Sequence, residues 1–458
     1  MRERPWIVRR LVVAVISIAL VVVGMVTTTG GAHLIGHAAW GLPNDLWATL
    51  VAAERLLHGD LARLYTPPTA LVAPPGTAVL LLPAAGLVMG LGLTPGPPVT
   101  QSPTPSAWWA AGPYEIAVSC LVLFAADALA ERMGVTAGRR AVLTVAEAVA
   151  LWNVSVRWGH PEDAVSVALL MYALVALADG RTERSAWLVG AGMAVQPLIV
   201  LAIPVLLAAV ATWRIVGYLL RALVPLAAVL VVALVANAQS TLHAVTDQPN
   251  YPLVDHPTPW IHFAPHLGDG VVAAGPGRLV AIVLACLCGL VLARRARPPG
   301  VWTGAELGGL VWWVTVALAL RVGFESVMVA YYLWPPIALA LVAAAPRWWR
   351  LLAASVIGGV LTFVSQATWR GEWVWWVPMT LGVVALVAVA RAPFAPSPAR
   401  VRVRTARALA APAGAGPRGS PPGAPQGSQE TWPWRSTYPT NAPVSMSVWA
   451  ITSRGSRR

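Results

Sequence analysis

Lysine is absent from all 458 residues, and charge of either sign is scarce: 11% of positions are charged, against 57% that are hydrophobic. The first absence leaves arginine to carry every fixed positive charge. The second excludes a water-soluble globule, because a chain of this length cannot hide so much apolar surface inside a soluble core. Cysteine occurs three times. Cys120, Cys286 and Cys288 stand within apolar segments, with neither the paired spacing of a zinc site nor the extracytoplasmic setting of a disulfide, and read as small buried hydrophobes. Acids number 19 against 32 bases, for a formal charge of +13. In a soluble protein that balance would point to nucleic acid. Here Arg2, Arg4, Arg9 and Arg10 precede the first apolar run, Arg294, Arg295 and Arg297 follow a later one, and Arg400, Arg402, Arg404 and Arg407 follow the last. Membrane orientation accounts for that placement, and no nucleic-acid partner is expected.

What the chain has in plenty is apolar runs. They fall at about 11–27, 77–93, 114–130, 141–156, 164–178, 186–211, 216–236, 276–293, 304–320, 327–345, 351–366 and 374–390, which predicts an all-α, polytopic membrane protein. At about twenty residues a passage, the count is roughly ten to thirteen. The run 7–26 follows basic residues as a signal peptide would, but its length and the lack of a small-residue cleavage site favour a retained first span. Gln196-Pro197 and Pro204 interrupt 186–211, marking either a kink or a turn between two short helices that enter and leave on one side. From Pro393 onward the chain turns to Pro, Gly, Ser and Arg. The expected division is a polytopic domain over 1–391 and a disordered cytoplasmic tail over 392–458.

Basic connections set the orientation. With a cytoplasmic N-terminus, the arginines at 139–140, 181–184, 214–221, 294–297 and 347–350 also read as cytoplasmic, and His160 to Asp163 lie outside if Gln196-Pro197 is a turn. The passages between 66 and 113 cannot be counted. The segment 237–276, with His243, Asp247, Asp255, His256, His262, His266 and Asp269, reads as a long external loop of the kind on which sites are built.

Three constellations could carry chemistry. After the first span, Asn44-Asp45-Leu46-Trp47 opens a short amphipathic helix along the membrane surface. Asp45 there is either its N-cap or a general base held where lipid meets water. In Gly159-His160-Pro161-Glu162-Asp163, Pro161 starts a helix whose dipole favours the acids of its first turn; two acids beside a histidine also suit a divalent ion or sugar hydroxyls. Arg321 and Glu325 are four apart, so on a helix they either neutralise each other or leave Arg321 to grip a phosphate above an aromatic floor of Tyr331, Tyr332 and Trp334. Glu115, Asp127 and Glu147 read as packing or boundary charges.

Taken together, Asn44-Asp45 with Trp47 through Gly59 to Leu64-Tyr65, then Gly159-His160-Pro161-Glu162-Asp163, Gln196-Pro197, and Phe324-Glu325 to Tyr331-Tyr332-Leu333-Trp334-Pro335 resemble actinobacterial members of the GT-C glycosyltransferases, from about Trp6 to Arg391. The order and spacing of the motifs, more than any one of them, carry the resemblance. It implies a multi-span cell-membrane enzyme that takes a sugar, of the mannose or arabinose class, from a polyprenyl-phosphate donor. The acceptor is an envelope glycan or glycolipid on the extracytoplasmic side. An acid of the first external loop is the catalytic base in that family, and the matching position is Asp45. Two departures stand out: Asn44 occupies the place of a first acid of an adjacent pair, and Gln196 that of a lysine, which removes a contact with an anionic group.

The expected chemistry is an inverting transfer. Asp45 accepts the acceptor's proton, while Arg321, Arg278 and loop histidines such as His256 and His262 face the leaving phosphate. His160, Glu162, Asp163, Gln196, Glu325, Tyr331 and Tyr332 complete the binding residues. No cofactor is required by the sequence, and a divalent cation is an option without a complete ligand set. A transporter or lipid flippase is the rival class, with its polar groups in broken helices near the midplane; an envelope scaffold is a third.

Overall fold

In a computed structural model, residues 10–30, 44–66, 71, 73–93, 107–252, 255–268, 270–295, 302–367 and 371–392 are described. The tail expected over 392–458 lies, from 393 onward, outside them, as do parts of 66–113. The described chain is helical almost throughout. In order come α1 (Leu11–Gly30), α2 (Asn44–Leu57), α3 (Pro75–Leu80), α4 (Leu82–Gly90), α5 (Trp108–Ser119), α6 (Leu121–Arg132), α7 (Ala137–Trp152), α8 (Pro161–Ala178) and α9 (Thr182–Val195). After them come α10 (Ile203–Ala208), α11 (Ile215–Ala236), α12 (Ala238–Asp247), α13 (Gly277–Arg295), α14 (Gly304–Phe324), α15 (Trp334–Ala344), α16 (Trp348–Val364) and α17 (Glu372–Val389).

Two helices make the centre. In α8 only Leu169, Tyr172 and Val175 are not buried, and in α15 every residue is. Beyond Ser166 of α8, both are apolar on all sides, the pattern of a helix surrounded by other helices. Around α8 pack α5, α6, α9 and α14, and around α15 pack α7, α14, α16 and α17. The outer helices bury one side only. Val216, Val231 and Val235 of α11, Leu279 and Val283 of α13, Val356 of α16 and Leu381 of α17 are exposed. Apolar faces of this extent are costly in water and satisfied in hydrocarbon. Among the described residues six helical stretches are long and apolar enough to cross a membrane: 108–132, 161–178, 212–236, 277–295, 304–324 and 372–389. Four shorter apolar helices accompany them.

The interrupted run 186–211 is a turn and not a kink. Gln196 is extended, Pro197 opens a 3-10 stretch to Ala202, and the chain then comes back to its starting level. There Arg214 donates to Thr182 Oγ1 at 3.4 Å and Arg221 meets Glu183 at 2.9 Å. The end of the bundle opposite Gln196 is rich in arginine and tied by ion pairs. Arg10 pairs with Asp127 and Glu131, Arg140 joins the same two acids at 3.3 and 2.7 Å, and Arg132 meets Asp179 at 2.8 Å. Asp127 is thus the centre of an ion-pair cluster tying α1, α6 and α7 together, while Glu115 and Glu147 are wholly buried.

The long polar segment 237–276 holds more regular structure than its composition suggests. Asn237 caps α12 by accepting from the Ser240 amide at 3.1 Å, because an Asn side chain satisfies an orphan N–H of the first turn. Beyond it β1 (His256–Pro257) pairs antiparallel with β4 (Val327–Met328), and β2 (His266–Gly268) with β3 (Val271–Val272). The β1–β4 pairing fastens this segment to the chain just after α14.

Candidate active site

One cavity of about 400 Å³ lies at the end of the bundle away from the ion-pair cluster. Its acidic wall begins with α8. Gly159 has a left-handed backbone (φ 67°, ψ 50°) that a Cβ would strain, and it ends the π-helical turn after α7. The chain then re-enters a helix at Pro161, whose ring fits the first turn. Glu162 and Asp163 follow in that turn, where unpaired backbone N–H groups favour negative charge, and both are buried.

His160 stands between this helix and α2. Its Nδ1 lies 2.6 Å from Glu162 Oε1 and its Nε2 lies 2.9 Å from Asp45 Oδ2. Asp45 belongs to the first turn of α2, but its carboxylate reaches across to the histidine. The imidazole is stacked on Tyr331 with ring centroids 4.0 Å apart. Burial alone would lower the His160 pKa; the Glu162 and Asp45 carboxylates outweigh it and hold the pKa well above the usual imidazole range.

A second wall carries two arginines on one glutamate. Glu325, at the end of α14 and without solvent exposure, receives Arg278 Nε at 2.7 Å and Arg321 Nε at 3.1 Å. Arg278 also bonds the Gln248 side chain. Arg321 lies over the Tyr332 ring, 3.7 Å from its centroid, and Tyr332 meets Tyr331 edge to face at 4.8 Å. Arg278 reaches Glu325 because the loop before α13 is fixed to the end of α14. The Gly275 amide donates to Ser326 Oγ at 3.0 Å, Thr258 Oγ1 donates to the Glu325 carbonyl at 2.5 Å, and the Gly277 Cα packs on the Phe324 carbonyl, with no room for a Cβ.

Beside a few polar residues, Thr49, Tyr65 and Asn250, the remaining lining is mainly apolar, with Leu198, Val200 and Leu201 from the turn, Leu226 and Leu230 of α11, and Ala281 and Ile282 of α13. Of the residues expected from the sequence, Asp45, His160, Glu162, Gln196, Arg278, Arg321, Glu325, Tyr331 and Tyr332 line this one cavity. Asp163 sits just behind it, with neither oxygen in a hydrogen bond of good geometry. Two expected residues lie elsewhere. His256 stacks flat on Trp375, 4.7 Å away, and burial lowers its pKa; His262 is exposed and pairs with Glu372 at 2.7 Å. They brace the loop against α17 and do not face the cavity. Asp255 went unremarked as a site residue, yet it is near enough to feel the charges of Asp45 and His160, and burial, then Asp45, push its pKa up to about 7. Only its place in a polar loop could have drawn attention to it. Among the described residues no group of three or more His, Cys, Asp or Glu side chains is arranged to hold a metal ion.

The chain matches no family model and no curated protein.

Proposed function

We propose that the chain is a membrane glycosyltransferase of GT-C type, moving a sugar from a polyprenyl-phosphate donor to a hydroxyl of an envelope glycan or glycolipid. The observation that carries the reading is the polarity of the cavity. A carboxylate held by an imidazole and two arginines on a shared glutamate line the same cavity, with an apolar wall beside them. That wall belongs to α11 and α13, whose outer faces are themselves exposed and apolar. An isoprenoid chain there would be continuous with the bilayer, with its phosphate at Arg278 and Arg321. The opposite, arginine-rich end of the bundle is the one expected in the cytoplasm, so the cavity opens outside. On this reading the passages number ten to thirteen.

The reaction needs a base and a charge sink on opposite sides of the anomeric carbon. Asp45 takes the proton of the acceptor hydroxyl as its oxygen bonds to that carbon. The bond from carbon to phosphate oxygen breaks, the electron pair leaves with the lipid phosphate, and the configuration inverts. Arg278 and Arg321 receive the growing negative charge, while Glu325 keeps them at a fixed spacing. Asn44 and Gln196 mark where the motifs depart from the resemblance, and Gln196 still places an uncharged polar group in the cavity lining.

The test is turnover by purified protein in lipid vesicles, given radiolabelled decaprenyl-phosphoryl mannose or arabinose and envelope glycolipid. Loss of donor with label appearing in the glycolipid supports the reading. Movement of intact donor between leaflets, with no bond broken, would place the chain among transporters.

A further inference from the structure

Resting on the glycosyltransferase reading, we propose that His160 is a positioning residue: clamped from behind by Glu162, it holds Asp45 by Oδ2 and leaves Oδ1 to take the acceptor's proton. Three contacts carry this. His160 Nε2 is 2.9 Å from Asp45 Oδ2, and its Nδ1 is 2.6 Å from Glu162 Oε1. Its ring lies on Tyr331, with centroids 4.0 Å apart and planes 30° apart. Both ring nitrogens and one ring face are therefore committed, so the imidazole cannot turn without losing all three.

No hydrogen bond from another described residue reaches Asp45 Oδ1. Asp45 is itself 39% exposed, whereas His160 and Glu162 are 8% and 4% exposed. The rigidity lies behind the base and the open oxygen in front of it. A carboxylate free to swing about its Cα–Cβ bond would spend much of its time misdirected, and an error of about 1 Å in a reacting group can cost on the order of a hundredfold in rate. The stack continues from Tyr331 to Tyr332 and on to Arg321. The distance from base to phosphate partner is thereby set by packed rings instead of a flexible loop.

The two nitrogens can be separated by substitution. A glutamine amide at 160 reaches the place of Nε2 and can donate to Asp45; an asparagine amide reaches only the place of Nδ1, and its contact is with Glu162. In the vesicle assay, His160→Asn should lower kcat at least about a hundredfold, the range of lost base catalysis, with KM for donor changed less than about threefold. His160→Gln should keep kcat within about tenfold of wild type. Equal loss in both variants, or a rise in KM with kcat intact, overturns the proposal. If His160→Asn does not insert as a folded protein, Glu162→Gln reads the same point. It should lower kcat about tenfold at constant KM, and an unchanged kcat is then the contrary result. A wild type that transfers no sugar defeats the function and this role together. An active wild type, an inactive Asp45→Asn and a fully active His160→Asn defeat the positioning role alone.

Discussion

Replacing Glu325 by Gln keeps the side-chain volume and removes one buried negative charge from between two arginines. The carboxylate has no solvent exposure, and the Arg278 and Arg321 side chains are 26% and 22% exposed, so water screens the pairs little. At an effective dielectric of about 20, unit charges 4 Å apart attract by about 4 kcal/mol. Two such pairs give about 8 kcal/mol before the cost of desolvating three ions and the repulsion between the guanidiniums. What a variant reports is the loss of the partner. Glutamine offers one acceptor and turns an N–H donor toward the other guanidinium, leaving a buried charge unpaired, which costs about 3–5 kcal/mol. Unfolding in mixed micelles, followed by tryptophan fluorescence, should show a destabilisation of that size. Adding Arg321→Met should restore part of it, with a coupling energy of at least about 1 kcal/mol. A Glu325→Gln protein within about 0.5 kcal/mol of wild type would mean that the carboxylate does not bridge the arginines.

Two further outcomes follow from the same geometry. Burial, then Asp45, raise Asp255 to about 7, so the folded protein keeps this proton where an unfolded aspartate, with a pKa of about 3.9, has shed it. Stability from this group therefore falls as pH rises between those values, and Asp255→Asn should flatten that slope. Above pH 7 its charge adds to Asp45, so KM for the anionic donor should rise; a rise that persists unchanged in Asp255→Asn contradicts the assignment. Gly277→Ala places a Cβ on the Phe324 carbonyl and should displace Arg278, costing about 1–3 kcal/mol and weakening binding of decaprenyl phosphate. Gly323→Ala meets no atom within 4 Å and should be neutral or stabilising by up to about 1 kcal/mol, so equal effects of the two in paired melting and binding experiments would count against the packing.

Local rules made much of the fold legible and stopped where distance in sequence began. Apolar runs marked α8, α11, α13, α14 and α17 because a helix that must satisfy its own backbone needs a continuous apolar segment. The Arg321–Glu325 pair could be read from its spacing of four. That Arg278, 47 residues away, shares the same carboxylate depends on the β1–β4 pairing and the packing at Gly277, which no local pattern announces. Asp45 was readable as a helix-opening acid, but its partner His160 is 115 residues distant. The loop histidines failed differently: polarity told that His256 and His262 lie at a water boundary, not which way each ring faces. Trp375 and Glu372, both on α17, decide that.

The most direct measurement of the central claim is sugar transfer by Asp45→Asn beside wild type. Asparagine keeps the size of the side chain and can still accept from His160, so the variant should fold at a cost of about 1–3 kcal/mol for the lost charge in that bond and bind decaprenyl phosphate as wild type does. Without a proton acceptor, transfer should fall about a hundred- to ten-thousand-fold. Near-native transfer by a folded, donor-binding Asp45→Asn protein would contradict the account.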